Sequence, residues 1–350
     1  VYRRHTNFAQ ECIEQTFSGA VGAGKRVTAT LARNGDLVKE IYLNASVSTV
    51  SKADTVDTTV DLTNIMEWAE VEIGGQTIDK QYSQWMDIYN QLFETNHDYR
   101  AAVNTVSVAA VANGSLDLTQ TDNLFVPLRF WFNRNPGLAL PLIALQYHEV
   151  KVNIQLNDTV KLQGDKLEST VTDASLLVNY VYLDTDERRR FAQVSHEYLI
   201  EQVQHTGSES VVNGNNKVTL NYNHPVKMLV WSASAALGVA KLQLNGHDRA
   251  SSQSAVYYQL LQPYESGLGH SNVMKLDRTW VNVGAESPVY MYSFALKPGE
   301  HQPSGTCNFS RIDNAVLNIA SSGAATLNVF ALNYNVLRIM SGMGGLAYSN

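Results

Sequence analysis

Apolar and polar residues alternate with a period of two along most of this chain. Glu149-Val150-Lys151-Val152-Asn153-Ile154-Gln155-Leu156 puts four aliphatic side chains on one face and four polar ones on the other, the pattern of a half-buried strand. Lys217 to Tyr222 alternates again, with Val218, Leu220 and Tyr222 on one side. Thr326 to Met340 continues the pattern through Leu327, Val329, Ala331, Leu337 and Ile339, as one bent strand or a strand pair. Val27 to Val38 reads as strand, Asn34-Gly35 turn, strand, and Asn245-Gly246 repeats the device after Lys241-Leu242-Gln243-Leu244. Helix is scarce. Its best candidate is Gln81 to Phe93, where Tyr82, Trp85, Met86, Tyr89 and Phe93 recur at helical spacing behind Asp79 as a cap.

Many short strands with turn punctuation predict β-sandwiches rather than a parallel α/β sheet. One break in composition divides the chain near its middle: Asp184-Thr185-Asp186-Glu187-Arg188-Arg189-Arg190, read as a linker or a salt-bridged joint. The division expected is 1–185 and 186–350, and each part suits an eight-stranded jelly roll. The predicted class is therefore all-β, two consecutive eight-stranded jelly-roll sandwiches with few short helices.

Composition narrows the function. The 350 residues carry a net charge of −7, which argues against coating nucleic acid through a general basic surface. Only 17% of residues are charged while 44% are hydrophobic, so part of the surface is expected to be hidden against other copies of the chain. The Gly and Pro content argues against long disordered tails. Two cysteines, Cys12 and Cys307, cannot staple a chain of this length, and such usage fits a reducing compartment. The longest apolar stretch, Leu138 to Leu145, is interrupted by Pro141 and is too short to span a membrane. It is expected to be buried on all sides, at the joint of domain and subunit or within one jelly-roll core. The chain opens on Val1-Tyr2-Arg3-Arg4, with neither an initiator Met nor an apolar signal region, and is read as missing its natural first residues.

Motifs for chemistry fail on inspection. Gly19-Ala20-Val21-Gly22-Ala23-Gly24-Lys25 matches part of a phosphate-binding loop. Arg26 then stands where Ser or Thr must hold Mg²⁺, and a strand follows where a helix is needed. His148-Glu149 and His196-Glu197 begin like zinc-protease motifs, but Val152 and Ile200 replace the second histidine. Asp184, Asp186 and Glu187 are followed by three arginines, so local ion pairing is expected in place of a cation site. No catalytic, cofactor or metal residue is predicted. Four Asn-x-Ser/Thr sequons, at Asn44, Asn113, Asn157 and Asn308, are nominal N-glycosylation sites and are read as unused.

Longer segments carry a resemblance. Val1-Tyr2-Arg3-Arg4-His5-Thr6-Asn7-Phe8 and Val71-Glu72-Ile73-Gly74-Gly75-Gln76-Thr77-Ile78-Asp79-Lys80 are followed by the run from Phe132-Asn133-Arg134-Asn135-Pro136-Gly137 to Tyr147-His148-Glu149-Val150. Then come Phe191-Ala192-Gln193, His196 to Gln202, Tyr292-Ser293-Phe294-Ala295-Leu296-Lys297-Pro298, Gln302 to Asn314, and Asn333 to Tyr348. In collinear order these segments resemble the major capsid proteins of nucleocytoplasmic large DNA viruses, of the algal-virus and iridovirus type. The resemblance implies a double jelly roll, three chains to a pseudo-hexagonal capsomer, and an icosahedral shell over an internal membrane and a DNA genome. It further implies neighbouring capsomers and minor capsid proteins as partners, no direct nucleic-acid contact, no membrane-spanning segment, no enzymatic activity and no cofactor. The virion capsid, assembled in the host cytoplasm, is the implied location. The resemblance also implies that a short arm preceding the Tyr-Arg-Arg segment in relatives is missing here, and that the stretch from Asn223-His224-Pro225 to Lys241, short compared with some relatives, forms a compact outer loop of the second jelly roll. The competing expectations are a glycan- or receptor-binding β-sandwich module and a β-sandwich glycosidase.

Overall fold

The computed structural model describes residues 6–51, 62–93, 123–162, 167–249, 251–268, 272–274, 280–282 and 288–348. Asn113 and the opening Val1–His5 lie outside them. The chain forms two compact units. One holds the described residues up to Met86, then 123–200 and the stretch from Val336; the other holds 87–93 and the described part of Glu201–Asn335.

In the first unit the strands are β1 (Phe8–Thr16), β2 (Arg26–Thr30), β3 (Leu37–Ser51), β4 (Met66–Ile73), β5 (Gln76–Tyr82), β6 (Asn123–Pro127), β7 (Leu140–Pro141), β8 (Val150–Leu156), β9 (Val160–Leu162) and β10 (Leu167–Leu183). One sheet runs β1-β10-β3-β6, with β7 on β3 and β9 on β10; the other runs β2-β8-β4-β5. Leaving the short β7 and β9 aside, first strand lies by last, second by seventh, third by sixth and fourth by fifth. That nesting is a jelly roll. Every pairing is antiparallel, and Val27, Ala29, Ile41, Leu43, Ala69, Val71, Val152 and Ile154 alternate into the core.

The second half repeats the plan with β11 (His196–Val211), β12 (Gly214–Thr219), β13 (Pro225–Ala233), β14 (Leu237–Leu244), β15 (His247–Asp248), β16 (Gln253–Ser254), β17 (Asn272–Met274), β18 (Trp280–Asn282), β19 (Val289–Ser293), β20 (Cys307–Asn308), β21 (Ala315–Ser321), β22 (Ala325–Met340) and β23 (Met343–Leu346). Its sheets are β11-β22-β13-β19 and β12-β21-β14-β15, with β16 on β14. The core centres on Trp231, with the Tyr258 ring 5.1 Å and the Tyr290 ring 6.1 Å away between centroids. Both phenols are anchored: Tyr258 donates to the Ala240 carbonyl, and Tyr290 accepts the Leu237 N–H. The fold class is the double jelly roll expected from the alternation. Strand β23 pairs with the end of β22, and both its residues and those from Val336 onward belong to the first unit.

Several local expectations need correction. Asn34-Gly35 joins β2 to β3, which lie in different sheets, so it is a crossover and not a hairpin. Asn245-Gly246 is the hairpin: Leu244 faces His247, and Asn245 and Gly246 take φ of 51° and 78°, as a two-residue primed turn requires. The helix starts at Ser83, and Asp79 is no cap; it is buried in β5, where Oδ2 accepts from Gln81 Nε2. The turn at Asn135-Pro136-Gly137 is fixed by Asn135, whose side chain accepts the Gly137 N–H at 2.9 Å. The charge run is an exposed helix, Thr185–Gln193, capped by Asp184. Its Arg188 pairs with a partner far away in sequence, Asp36, at 3.0 Å.

Burial also sets a pH dependence. His205 stacks on Phe330 at 4.5 Å and its Nδ1–H meets the Val329 carbonyl at 2.9 Å. Desolvation holds its pKa below the ordinary 6.5, against a smaller upward pull from that carbonyl. The unfolded chain therefore binds more protons in the window between the lowered value and 6.5. Stability should be fully present above pH 6.5 and fall as the pH drops through the folded-state value. Urea midpoints at pH 7.5 and 5.5 should show this loss, and His205→Gln should flatten it.

Candidate assembly surface

The described residues offer little for chemistry. No group of three or more His, Cys, Asp or Glu among them could hold a metal ion, and no helix among them is long and apolar enough to cross a membrane. The glycine-rich stretch before β2 is a loop in which Gly19 and Gly24 take positive φ and the Lys25 N–H returns to the Gly22 carbonyl. His196 meets the Phe191 carbonyl at 2.8 Å, and His148 meets Gly344.

The three sequons among the described residues sit in structure that uses their side-chain amides. Asn44 lies mid-strand in β3, half-buried, with Nδ2 3.4 Å from Ser175 Oγ. Asn157 donates from Nδ2 to the Asn64 carbonyl at 2.6 Å. Asn308 accepts the Ser310 N–H at the start of a 3₁₀ turn.

What the fold does present is apolar surface. In the first unit Tyr147 is 75% exposed beside the β22–β23 turn, whose flanking Met340 and Met343 are half exposed. A cleft of about 310 Å³ continues from there, lined by Ala144, Val194, Ile339 and Met340 among others. Strand β1 is paired on one side only, and Phe8 to Cys12 are exposed along it. A sheet edge this long is ordinarily blunted or covered. In the second unit Tyr264 and Leu296 are 80% and 79% exposed, and Leu268 lies against the turn that follows Leu296. Tyr147, Met340 and Met343 lie together around one turn, the kind of exposed apolar grouping that suits a contact surface.

A different face is already satisfied. On the sheet β2-β8-β4-β5, Trp68 lies under Arg26 at 5.1 Å and Lys80 at 4.1 Å. Glu70 binds Arg26 at 2.6 Å and accepts from Asn153 Nδ2, while Asn153 Oδ1 accepts from the Thr28 hydroxyl. Desolvation, then Asp79 and Glu70, raise the Tyr82 phenol. Such a wall is stiff and polar, with the indole faces occupied by cations. Leu138 to Leu145, expected to be buried on all sides, is buried at most positions, but Leu138 and Ile143 stay partly exposed and Ala144 lines the cleft. Its Ala139 packs with Leu37, Val181, Leu183 and Phe191 inside the first unit, while Leu140, Leu142 and Leu145 are buried. Sequence periodicity missed Tyr147, Tyr264 and Leu296, because an exposed apolar residue in a bend or a single helical turn has no period to betray it.

Known proteins resemble the whole chain. Residues 1–184 match the family described as the major capsid protein N-terminus. Residues 187–236 and 233–345 match the large eukaryotic DNA virus major capsid protein family. The major capsid protein of Pyramimonas orientalis virus is 50% identical over 377 residues, covering 100% of this chain and 93% of the relative. That of Paramecium bursaria Chlorella virus 1 is 39% identical over 433 residues, again covering 100% and 93%. Among solved structures, a quasi-atomic model of the PBCV-1 virus capsid superposes with a TM-score of 0.81 at 37% identity, over 100% of this chain and 99% of that one. The Faustovirus major capsid protein shares the fold at a TM-score of 0.73, with 12% identity over 97% of this chain and 92% of that one.

Proposed function

This chain belongs to the major capsid proteins of large eukaryotic DNA viruses, and from that premise we propose that it builds an icosahedral shell as a homotrimer. Three chains with two jelly rolls each make a pseudo-hexagonal block. The two parts are taken as 1–185 and 186–350, since the first jelly roll's strands end at Leu183 and the second's begin at His196. The observation that carries the reading is the end-to-end likeness to a protein of the PBCV-1 capsid. Neighbouring capsomers and minor capsid proteins are the further partners, over an internal membrane, with assembly in the host cytoplasm. The role is structural, without catalysis and without direct contact to the genome.

The exposed edge β1 and the apolar Tyr147, Tyr264 and Leu296 support burial against other copies. Permanent interfaces commonly bury about 2,000–5,000 Å², and at ~25 cal/mol per Å² of apolar area part of that exceeds the cost of association. Charge acts at the next level. Three chains of −7 give −21 per trimer, a repulsion between blocks that salt screens. Sedimentation at low micromolar concentration should give a trimer that is insensitive to moderate salt, while lattice formation responds to ionic strength. A monomer with native β structure would overturn the reading, and glycan binding by that monomer would favour a lectin-like module.

A further inference from the structure

Strand β23 seats on the first unit through glycine backbone. A Cβ on Gly342 would meet the Tyr147 ring at 2.6 Å, and one on Gly344 would meet Leu145 at 2.7 Å. The Tyr147 N–H donates to the Gly342 carbonyl at 3.0 Å. At the centre of this seat stands His148, with Nδ1 3.0 Å from the Gly344 carbonyl oxygen and 3.2 Å from the Gly344 nitrogen. Gly74, at φ 57°, presses on the same ring so closely that a Cβ there would overlap it, and its N–H is held by the Glu149 carbonyl. The ring is thus fixed with one nitrogen facing both a donor and an acceptor of a single residue.

A neutral imidazole protonated on Nε2 leaves Nδ1 as an acceptor, suited to the Gly344 N–H. A charged imidazole carries a proton on both nitrogens, and Nδ1–H then suits the Gly344 carbonyl. We propose that His148 is a two-state anchor for the C-terminal strap Gly342–Leu346, holding Gly344 whether the ring is neutral or charged by exchanging acceptor for donor at one nitrogen. The strap and the Gly74-Gly75 turn bring no charged side chain to the ring. Arg33, from the β2–β3 loop, spends its contact on the Leu145 and His148 carbonyls, at 2.7 and 3.4 Å. Glu149 lies 3.5 Å from Lys151. His148 is here a positioning residue, and acid does not unseat the strap.

Hydrogen exchange of the full chain tests this, read on peptides covering 341–348 and corrected for the intrinsic rate. At both pH 8 and pH 5 the wild-type strap should stay protected within about threefold. His148→Phe, which keeps a ring but no nitrogen, should exchange there about tenfold faster at both pH values, while Val226–Ala233 is unchanged. His148→Gln, which offers both an acceptor and a donor, should recover part of the protection. Equal strap exchange in His148→Phe and wild type would overturn the proposal. So would a wild-type strap that opens tenfold or more at pH 5, a result that stands even if the variants do not fold.

Discussion

Replacing Glu201 by alanine should destabilise the second unit by about 3–5 kcal/mol, among the largest single-residue losses available in this chain. Lys227 extends from β13 with its side chain 2% exposed, and its ammonium lies 2.5 Å from Glu201 Oε1 on β11. The Tyr334 ring is 5.3 Å from that ammonium, and His301 Nδ1 is 3.9 Å from the same carboxylate oxygen. Removing the carboxylate leaves a desolvated cation without its close counter-charge, and the cost is that of the exposed imbalance rather than of the pair itself. Glu201→Gln, which keeps an acceptor, should cost less. The double variant Glu201→Leu/Lys227→Met should return to within about 1–2 kcal/mol of wild type or exceed it, because an apolar pair escapes desolvation altogether. Urea unfolding of the four proteins, wild type included, tests these expectations. A loss under about 1 kcal/mol in Glu201→Ala would mean that water reaches the pair.

Trp231→Ala should cost a similar ~3–5 kcal/mol, for the opposite reason. Nothing ionic is involved; the change opens a cavity between Tyr258 and Tyr290 in a core whose β13 residues from Val226 to Ala233 are all buried. The indole has a weakness of its own, since Nε1 is buried with no hydrogen-bond partner. Trp231→Phe therefore deletes ring volume and an unsatisfied donor together, and should cost about 1–2 kcal/mol, well short of the alanine change. Equal losses in the two variants would show that the second ring of the indole supplies nearly all of the packing.

Where chain pattern and local physics coincide, the fold was legible. The alternation over 149–156 became β8, and that over 326–340 became the single strand β22. Asn245-Gly246 turned as such pairs do, because its flanking strands belong to one sheet. Asn34-Gly35 did not, and the difference lies in long-range pairing that two residues cannot encode: β2 goes to β8 and β3 to β10. The same limit explains Arg188. Acids adjacent in sequence seemed its natural partners, yet on a helix they cap the first turn while the guanidinium reaches Asp36. The family's segments marked the 145–148 region without revealing why it recurs, since the glycines it receives lie almost 200 positions away.

The placement of β23 has a consequence for the order of synthesis. Its contacts with the first unit join residues 196 positions apart at His148 and Gly344, and 270 apart at Gln76 and Leu346. The half made first on the ribosome therefore waits, one seat unfilled, until the half made second has been translated. Contacts spanning that length form slowly, and although the eight strands of the first jelly roll are complete at Leu183, the Leu145–His148 seat stays uncovered meanwhile. In every nascent copy, the interval between the two halves therefore leaves Leu145 and Tyr147 without the glycine strap that packs on them.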